Sequence, residues 1–154
     1  MKVSLQDVLD AMELSSDEST SYINVKTGEI EMLTDEEVDL VEDEDLDEEA
    51  LAEWLRERLP KVREVLDSDD FLPLPGKFEI HEWKIMERFS ISQTNDSVRH
   101  ELLDAIRGAG AFRNFRGAIR RHDIEDNWFT FRRSALEEIA KEWLTAQDLP
   151  FSES

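Results

Sequence analysis

The sequence predicts an α+β fold, a mainly helical single domain with a small N-terminal antiparallel β-hairpin. Apolar residues recur at helical spacing along most of the chain, and two short alternating segments flank a glycine-containing loop near its start. The 154 residues, with four tryptophans and eight phenylalanines, are also enough to bury a core. Because the chain has no cysteine, disulfides and thiolate metal sites are excluded.

The first elements are predicted to be a helix and the hairpin. Residues 4–13 form a helix in this interpretation, because four apolar side chains share one face at helical spacing. These are Leu5, Val8, Leu9 and Met12. Segments 21–25 and 29–33 alternate in polarity on either side of a short loop, which is typical of a hairpin. Gly28 is expected to take the positive φ angle that such a loop needs.

The middle of the N-terminal part is very acidic. Thr34 and Glu37 have the spacing of a capping box, which predicts a helix after the hairpin. Residues 27–55 hold 14 acids and no base, which indicates a solvated acidic face or, as the alternative, an interaction surface. Residues 47–67 are predicted to be helical, with Pro60 starting a second helix at its first turn. The expected core residues of this stretch are Leu51, Trp54, Leu55, Val62, Val65 and Leu66.

An extended connector at residues 72–76 divides an acidic N-terminal part, residues 1–76, from a helical C-terminal part, residues 77–154. At this length we expect the two parts to form one compact domain. The second part begins with predicted helices at 80–91 and 95–107, and Gly108 stands where a C-terminal cap belongs. The apolar residues expected to be buried there are Trp83, Ile85, Met86, Phe89, Val98, Leu102, Ala105 and Ile106.

The last elements are predicted to be a helix, a short extended segment and a final helix. Residues 111–121 form the first of these, and residues 127–132 are aromatic and read as extended. Ser134 and Glu137 have capping-box spacing and are predicted to open the final helix. The side chains expected in the core are Phe112, Phe115, Ile119, Leu136, Ile139, Ala140, Trp143 and Leu144.

The net charge of −20 is distributed unevenly. Residues 1–76 hold 24 acids and 6 lysines or arginines, whereas residues 77–154 hold 14 acids and 12 lysines or arginines. Within residues 107–133 seven arginines face three acids, so the local balance is +4. The overall charge argues against general affinity for nucleic acid, because phosphates are repelled at long range. The local excess of arginine leaves a focused anion site open.

The arginine-rich helix supplies the candidate binding site. At ~100° per residue, Arg113, Arg116 and Arg120 form a narrow stripe beside the apolar face. Guanidinium groups so placed can bind a carboxylate or a phosphate, and the glycines before the helix leave its first N–H groups open to an anion. The alternative is that these arginines pair with the chain's own carboxylates at 35–49 or 137–142. The candidate residues for an anion or a partner are Gly108, Gly110, Arg113, Arg116, Arg120 and Arg132.

Catalytic and metal-binding motifs are not found in the sequence. The Gly-Ala-Gly at 108–110 lacks the Gly-Lys-Ser/Thr ending of a phosphate loop, and no GxSxG nucleophile elbow occurs. His81, His100 and His122 are scattered without metal-ligand spacing. We therefore assign no catalytic residue, metal ligand or cofactor.

Five groups of residues in this sequence resemble a bacterial family known only as uncharacterised protein family 0158. They are FLPLPGKF at 71–78, WKIMERF at 83–89, LDAIRG at 103–108, GAFRNFR at 110–116, and Trp128 with Phe131 and Arg132. The hairpin around Gly28 is similar to the start of that family. The resemblance implies a bacterial cytoplasmic protein and brings no substrate, cofactor or catalytic residue. One departure is Asn114, which stands where the family pattern has a basic residue.

These observations favour a non-enzymatic binding or regulatory module that uses its arginine-rich helix to bind a protein or a small anion. One alternative is a nucleic-acid-associated protein or an acidic mimic of nucleic acid, and another is an enzyme with a site near Arg113 and His81. The N-terminus is acidic and no apolar run reaches the ~18 residues of a membrane span. We expect no membrane partner and a cytoplasmic location.

Overall fold

The computed structural model describes residues 2–153, and it describes side chains for all of these except Lys77 and Phe78. The described chain is mostly helical with a small amount of sheet, as predicted. Its contacts divide it into two compact units. The first unit comprises residues 1–77 and 140–154, and the second comprises residues 78–139. That the chain forms one compact domain stays a prediction.

The strands all belong to the first unit. They are β1 (Val3–Ser4), β2 (Ser19–Asn24), β3 (Ile30–Thr34), β4 (Phe71–Pro73) and β5 (Phe151–Ser152). The first strand of the chain is not part of a hairpin, because β1 pairs parallel with β5. Strands β2 and β3 pair antiparallel, with Ile23 opposite Ile30, and Gly28 in the intervening turn has φ of 81°. Strand β4 pairs with the other edge of β2, so the expected connector begins as a third strand.

The helices of the first unit begin with α1 (Leu5–Leu14) and α2 (Asp35–Glu42). They continue with a short 3-10 helix (Glu48–Ala50) and α3 (Glu53–Asp67). The buried residues of α1 are the four predicted ones, Leu5, Val8, Leu9 and Met12. The capping box of Thr34 and Glu37 is confirmed: each side chain accepts a hydrogen bond from the other residue's backbone N–H.

Helix α3 corrects two predictions. Pro60 does not start a new helix but lies inside a continuous helix of 15 residues. Leu59 and Val62 are both buried, so the segments on either side of the proline are held by core packing that outweighs its missing N–H group. Trp54 was expected in the core and is 69% exposed. The buried face of α3 includes Leu55, and Trp54, as the adjacent residue, points about 100° away from it around the helix.

The second unit is helical. It contains α5 (Glu82–Ile91), α6 (Asp96–Ala105) and α7 (Ala111–Arg121), and the short α4 (Lys77–Ile80) precedes them. Helix α8 (Glu125–Ala146) supplies residues up to Ile139 to this unit. Phe89 of α5, Phe115 of α7 and Trp128 of α8 meet edge to face at the centre of this unit, with ring centroids 4.8–6.1 Å apart.

Helix α8 overturns the prediction of an extended aromatic segment followed by a new helix at Ser134. The helix is continuous from residue 125, and Ser134 lies inside it. Trp128, Phe131 and Ala135 recur at helical spacing, and both aromatic rings lie 5.4 Å from the ring of Phe89. The helical conformation is favoured because it places these rings on one face, and this outweighs the strand preference of aromatic residues.

Two tryptophans expected in the core are only partly covered. Trp83 is 40% exposed, and its indole N–H donates to the backbone carbonyl of Ile106 at 2.8 Å. Trp143 has intermediate exposure, although its neighbours Ala140 and Leu144 are fully buried. Tryptophan often lies at such a boundary, because its ring is apolar while its N–H group needs an acceptor.

Candidate functional site

Helix α7 carries the residues predicted to bind an anion. Its buried residues are Ala111, Phe115, Ala118 and Ile119. Arg113, Arg116 and Arg120 are exposed and fall within a ~60° arc on the other side of the helix, given ~100° per residue. We refer to these three residues as the arginine stripe. Because the opposite face of α7 is buried, the arginine stripe points toward solvent.

The arginine stripe has no ion pair or hydrogen bond to an acidic side chain anywhere in residues 2–153. Its neighbours behave differently: Arg107 lies 3.5 Å from Asp104, and Arg121 donates to Glu101 at 2.7 Å. The chain has 38 acidic residues, so carboxylates are plentiful. The interpretation that the arginines serve as internal ion-pair partners therefore fits the neighbours and does not fit the stripe.

A groove of about 570 Å³ runs along the stripe and is also lined by Phe112 and Gly117. Phe112 was predicted to be buried and is 52% exposed. It is the second residue of α7, and the loop residues 108–110 before the helix are themselves exposed. The groove thus combines three guanidinium groups with one aromatic ring.

Gly117 is a site residue that sequence reasoning missed. It lines this groove and also a neighbouring cavity of about 360 Å³ that includes Glu101 and Arg121. A glycine inside a helix is less stable than alanine by about 1 kcal/mol, and its position within a helical pattern was the available signal. A Cβ added at Gly117 would lie 3.5 Å from Nη1 of Arg121, which is ordinary contact. The missing side chain leaves space beside the stripe.

The two glycines before α7 both have a left-handed backbone conformation. Gly108 has φ of 71° and Gly110 has φ of 78°. Gly110 is the N-cap of α7 and provides no side-chain acceptor for the N–H groups of the first turn. A helix N-terminus carries a partial positive charge, so these N–H groups add to the field of the stripe.

Arg132 stands apart from the other predicted site residues. It lies on α8, and its Nε donates to the carboxylate of Glu82 on α5. The Arg132 side chain is 25% exposed, and it does not line the groove beside the stripe. An internal ion pair therefore accounts for this arginine.

Glu101 contacts two basic side chains at the C-terminal end of α7. His122 Nε2 contacts one carboxylate oxygen, and Arg121 donates to the other. The hydrogen bond with His122 and then that with Arg121 lower the pKa of Glu101. The trio links α6 to α7.

Within the described residues 2–153, no group of three or more histidine or acidic side chains could hold a metal ion. No helix in this range combines the length and the apolar character needed to cross a membrane.

The model of an uncharacterised protein family, UPF0158, matches residues 1–154. This is the family that the motifs around Phe71, Trp83 and Gly110 resemble, so that prediction is confirmed. The family description assigns no activity, ligand or partner. No curated protein and no solved structure was found to match the chain. The chain therefore belongs to the uncharacterised protein family UPF0158.

Proposed function

We propose that this protein is a non-enzymatic binding module whose arginine stripe binds an acidic segment of a partner protein or a small anion. The observation that carries the proposal is the set of three exposed arginines that have no carboxylate partner within residues 2–153, in a chain of net charge −20. The three guanidinium groups line one groove, so their hydrogen-bond donors are open together to an anion from another molecule.

The spacing of the stripe supports an anionic ligand. Arg113 and Arg116 are three residues apart and Arg120 follows four residues later, so neighbouring positive charges repel one another along the helix. A bound carboxylate or phosphate group relieves this repulsion, and each guanidinium can donate two parallel hydrogen bonds to it. The exposed ring of Phe112 in the same groove offers apolar contact to a bound peptide.

The net charge limits which anion can bind. A long polyanion such as nucleic acid meets the field of the whole protein, which is repulsive at −20. A short acidic peptide or a compact anion interacts mainly with the stripe, because salt screens charges beyond ~8 Å at physiological ionic strength. These considerations favour a short acidic segment of a partner over RNA or DNA.

The test combines Arg113→Glu with Arg116→Glu and measures the binding of a fluorescent peptide of alternating Glu and Phe by anisotropy. We expect the wild type to bind the peptide and the double variant to lose at least about tenfold in affinity, since two charge-assisted contacts are reversed in sign. The melting temperature should stay close to that of the wild type, because both side chains are exposed.

Arg56→Glu with Lys84→Glu is the matched control. Both residues are exposed and have no ion-pair partner within residues 2–153, and the pair changes the net charge by the same amount. Equal loss of binding in the control would mean that net charge alone governs the affinity, and the proposal would be rejected. A single-stranded oligonucleotide that binds more tightly than the acidic peptide would instead favour the nucleic-acid alternative.

A further inference from the structure

A second open surface lies in the first unit, where α1, β3 and α2 border two cavities of about 820 and 460 Å³. Leu14 and Met32 line both cavities, so the two adjoin at these side chains. Leu14 is 69% exposed and Met32 is 42% exposed, and Leu40 lies beside them. Single exposed apolar residues are common, whereas several that line one groove indicate a contact surface. We refer to this surface as the acidic groove, because several carboxylates line it.

The rim of the acidic groove carries carboxylates that have no cationic partner in residues 2–153. They are Glu18, Asp35, Glu36 and Asp39. The first unit as a whole holds 27 acids and 8 lysines or arginines, a balance of −19, whereas the second unit holds 11 acids and 10 lysines or arginines. Nearly all the net charge of the chain therefore belongs to the unit that contains the groove.

We propose that the acidic groove binds a basic amphipathic helix of another protein. The apolar side chains of the bound helix would cover Leu14 and Met32, and its lysines or arginines would pair with the carboxylates of the rim. Helix-in-groove recognition places apolar anchors at every third or fourth residue into such a floor. Charge complementarity selects the occupant, because opposite charges steer association and like charges suppress it.

The apolar floor separates this proposal from other occupants. A mimic of nucleic acid needs carboxylates at phosphate spacing and gains nothing from the exposed Leu14 and Met32. A second copy of this chain carries −20 itself, so it is repelled at long range. The proposal is independent of the arginine stripe, since no residue of α7 lines the groove.

The test uses a synthetic labelled peptide of about 18 residues, five helical turns, composed of leucine and lysine in amphipathic order. Two comparison peptides are a leucine–lysine peptide with the leucines spread around the helix, and an amphipathic leucine–glutamate peptide. We expect only the amphipathic leucine–lysine peptide to bind appreciably at 0.5 M salt, where screening weakens the ionic part and leaves the apolar part. Equal binding of the two leucine–lysine peptides, or no binding above that of the leucine–glutamate peptide, would overturn the proposal.

Substitutions then locate the binding site. Leu14→Ser with Met32→Ser should lower the affinity for the peptide at least about tenfold. Covering one exposed apolar side chain contributes binding free energy equivalent to about tenfold in affinity. Ile91→Ser with Phe129→Ser is the matched control, since these side chains are 58% and 59% exposed in the second unit. Unchanged affinity in the groove variant, or equal loss in the control, would refute the groove.

A variant with two carboxylates of the rim neutralised tests the proposal even if the apolar variant is unstable. Glu18→Gln with Asp39→Asn should weaken binding at 0.15 M salt several-fold and reduce its dependence on salt. Glu44→Gln with Glu57→Gln removes the same charge from residues outside the groove and should leave affinity within about twofold. Equal effects of the two pairs would assign binding to net charge. Self-association that Leu14→Ser with Met32→Ser abolishes would assign the groove to a second copy and overturn the proposal.

Discussion

Arg58 on α3 is the most connected basic residue described in the first unit, and its removal gives a quantitative test of the fold. Its Nε donates to Glu37 at 2.8 Å, its Nη1 to Glu31 at 2.9 Å, and its Nη2 to the backbone carbonyl of Met32 at 2.7 Å. One guanidinium group thus joins α3 to the start of α2 and to strand β3.

The cost of Arg58→Ala follows from these contacts and their exposure. A hydrogen bond to a charged group contributes about 1.5–3 kcal/mol, and removing one partner of a buried pair costs about 3–5 kcal/mol. The Arg58 side chain is 27% exposed, so water replaces part of what is lost. We therefore expect a loss of about 2–4 kcal/mol in the free energy of unfolding, or about 6–12 °C in melting temperature for a chain of this size.

The effect of Arg58→Ala should also depend on pH. Burial raises the pKa of Glu37, but the backbone N–H of Thr34 and the guanidinium of Arg58 outweigh it, so the pKa is lowered below the usual 4.5. A lowered pKa in the folded state stabilises the protein above the unfolded-state pKa, and this stabilisation is lost as the pH falls through the folded-state pKa. The difference between wild type and Arg58→Ala should therefore be full at pH 7 and shrink as the pH falls below about 4.5.

Urea denaturation at several pH values measures this difference, and two comparisons show its origin. Arg56→Ala, on the same helix, changes an exposed arginine that has no ion pair within residues 2–153, so it should cost less than about 0.5 kcal/mol. A double-mutant cycle with Glu37→Gln should give a coupling energy of at least about 1 kcal/mol. If Arg58→Ala costs no more than Arg56→Ala, the ion-pair network does not hold α3 in place and our reasoning is wrong.

Two further predictions concern the core and the charge. Trp128→Ala should lower the free energy of unfolding by about 3–5 kcal/mol in urea denaturation, and Trp143→Ala by less, because Trp128 is 6% exposed and Trp143 is only partly buried; equal costs would contradict the packing around Phe89. Raising sodium chloride to about 0.5 M should raise the melting temperature in a thermal scan, because salt screens the repulsion among 20 surplus negative charges. A lower melting temperature would mean that ion pairs such as Arg121 with Glu101 outweigh that repulsion.

Local signals in the sequence predicted the parts of the fold that depend on neighbouring residues. The helical spacing of Leu5, Val8, Leu9 and Met12 fixed the buried face of α1, because that spacing alone puts four side chains on one side. The capping box at Thr34 was also local. The prediction of an extended segment at 127–132 is wrong, because its helix depends on rings from α5 and α7 that lie farther away in sequence.

The candidate site also has features that local sequence predicts and features that depend on distant residues. Helical spacing placed Arg113, Arg116 and Arg120 together, since this needs only the period of the helix. Which arginines are paired could not be predicted, because partners come from other elements: Glu82 meets Arg132 from 50 residues away along the chain. The exposure of Phe112 was missed for a related reason, since its angle matches the buried face and only the surrounding structure decides whether it is covered.

Glu37 performs two tasks with one carboxylate. Its Oε1 accepts the backbone N–H of Thr34 that begins α2, and its Oε2 accepts the Arg58 bond that holds α3. The two elements therefore cannot loosen independently at this point, because disturbing the carboxylate for one of them also disturbs it for the other. We therefore expect fraying of α2 from its first turn and release of α3 to be coupled in local unfolding.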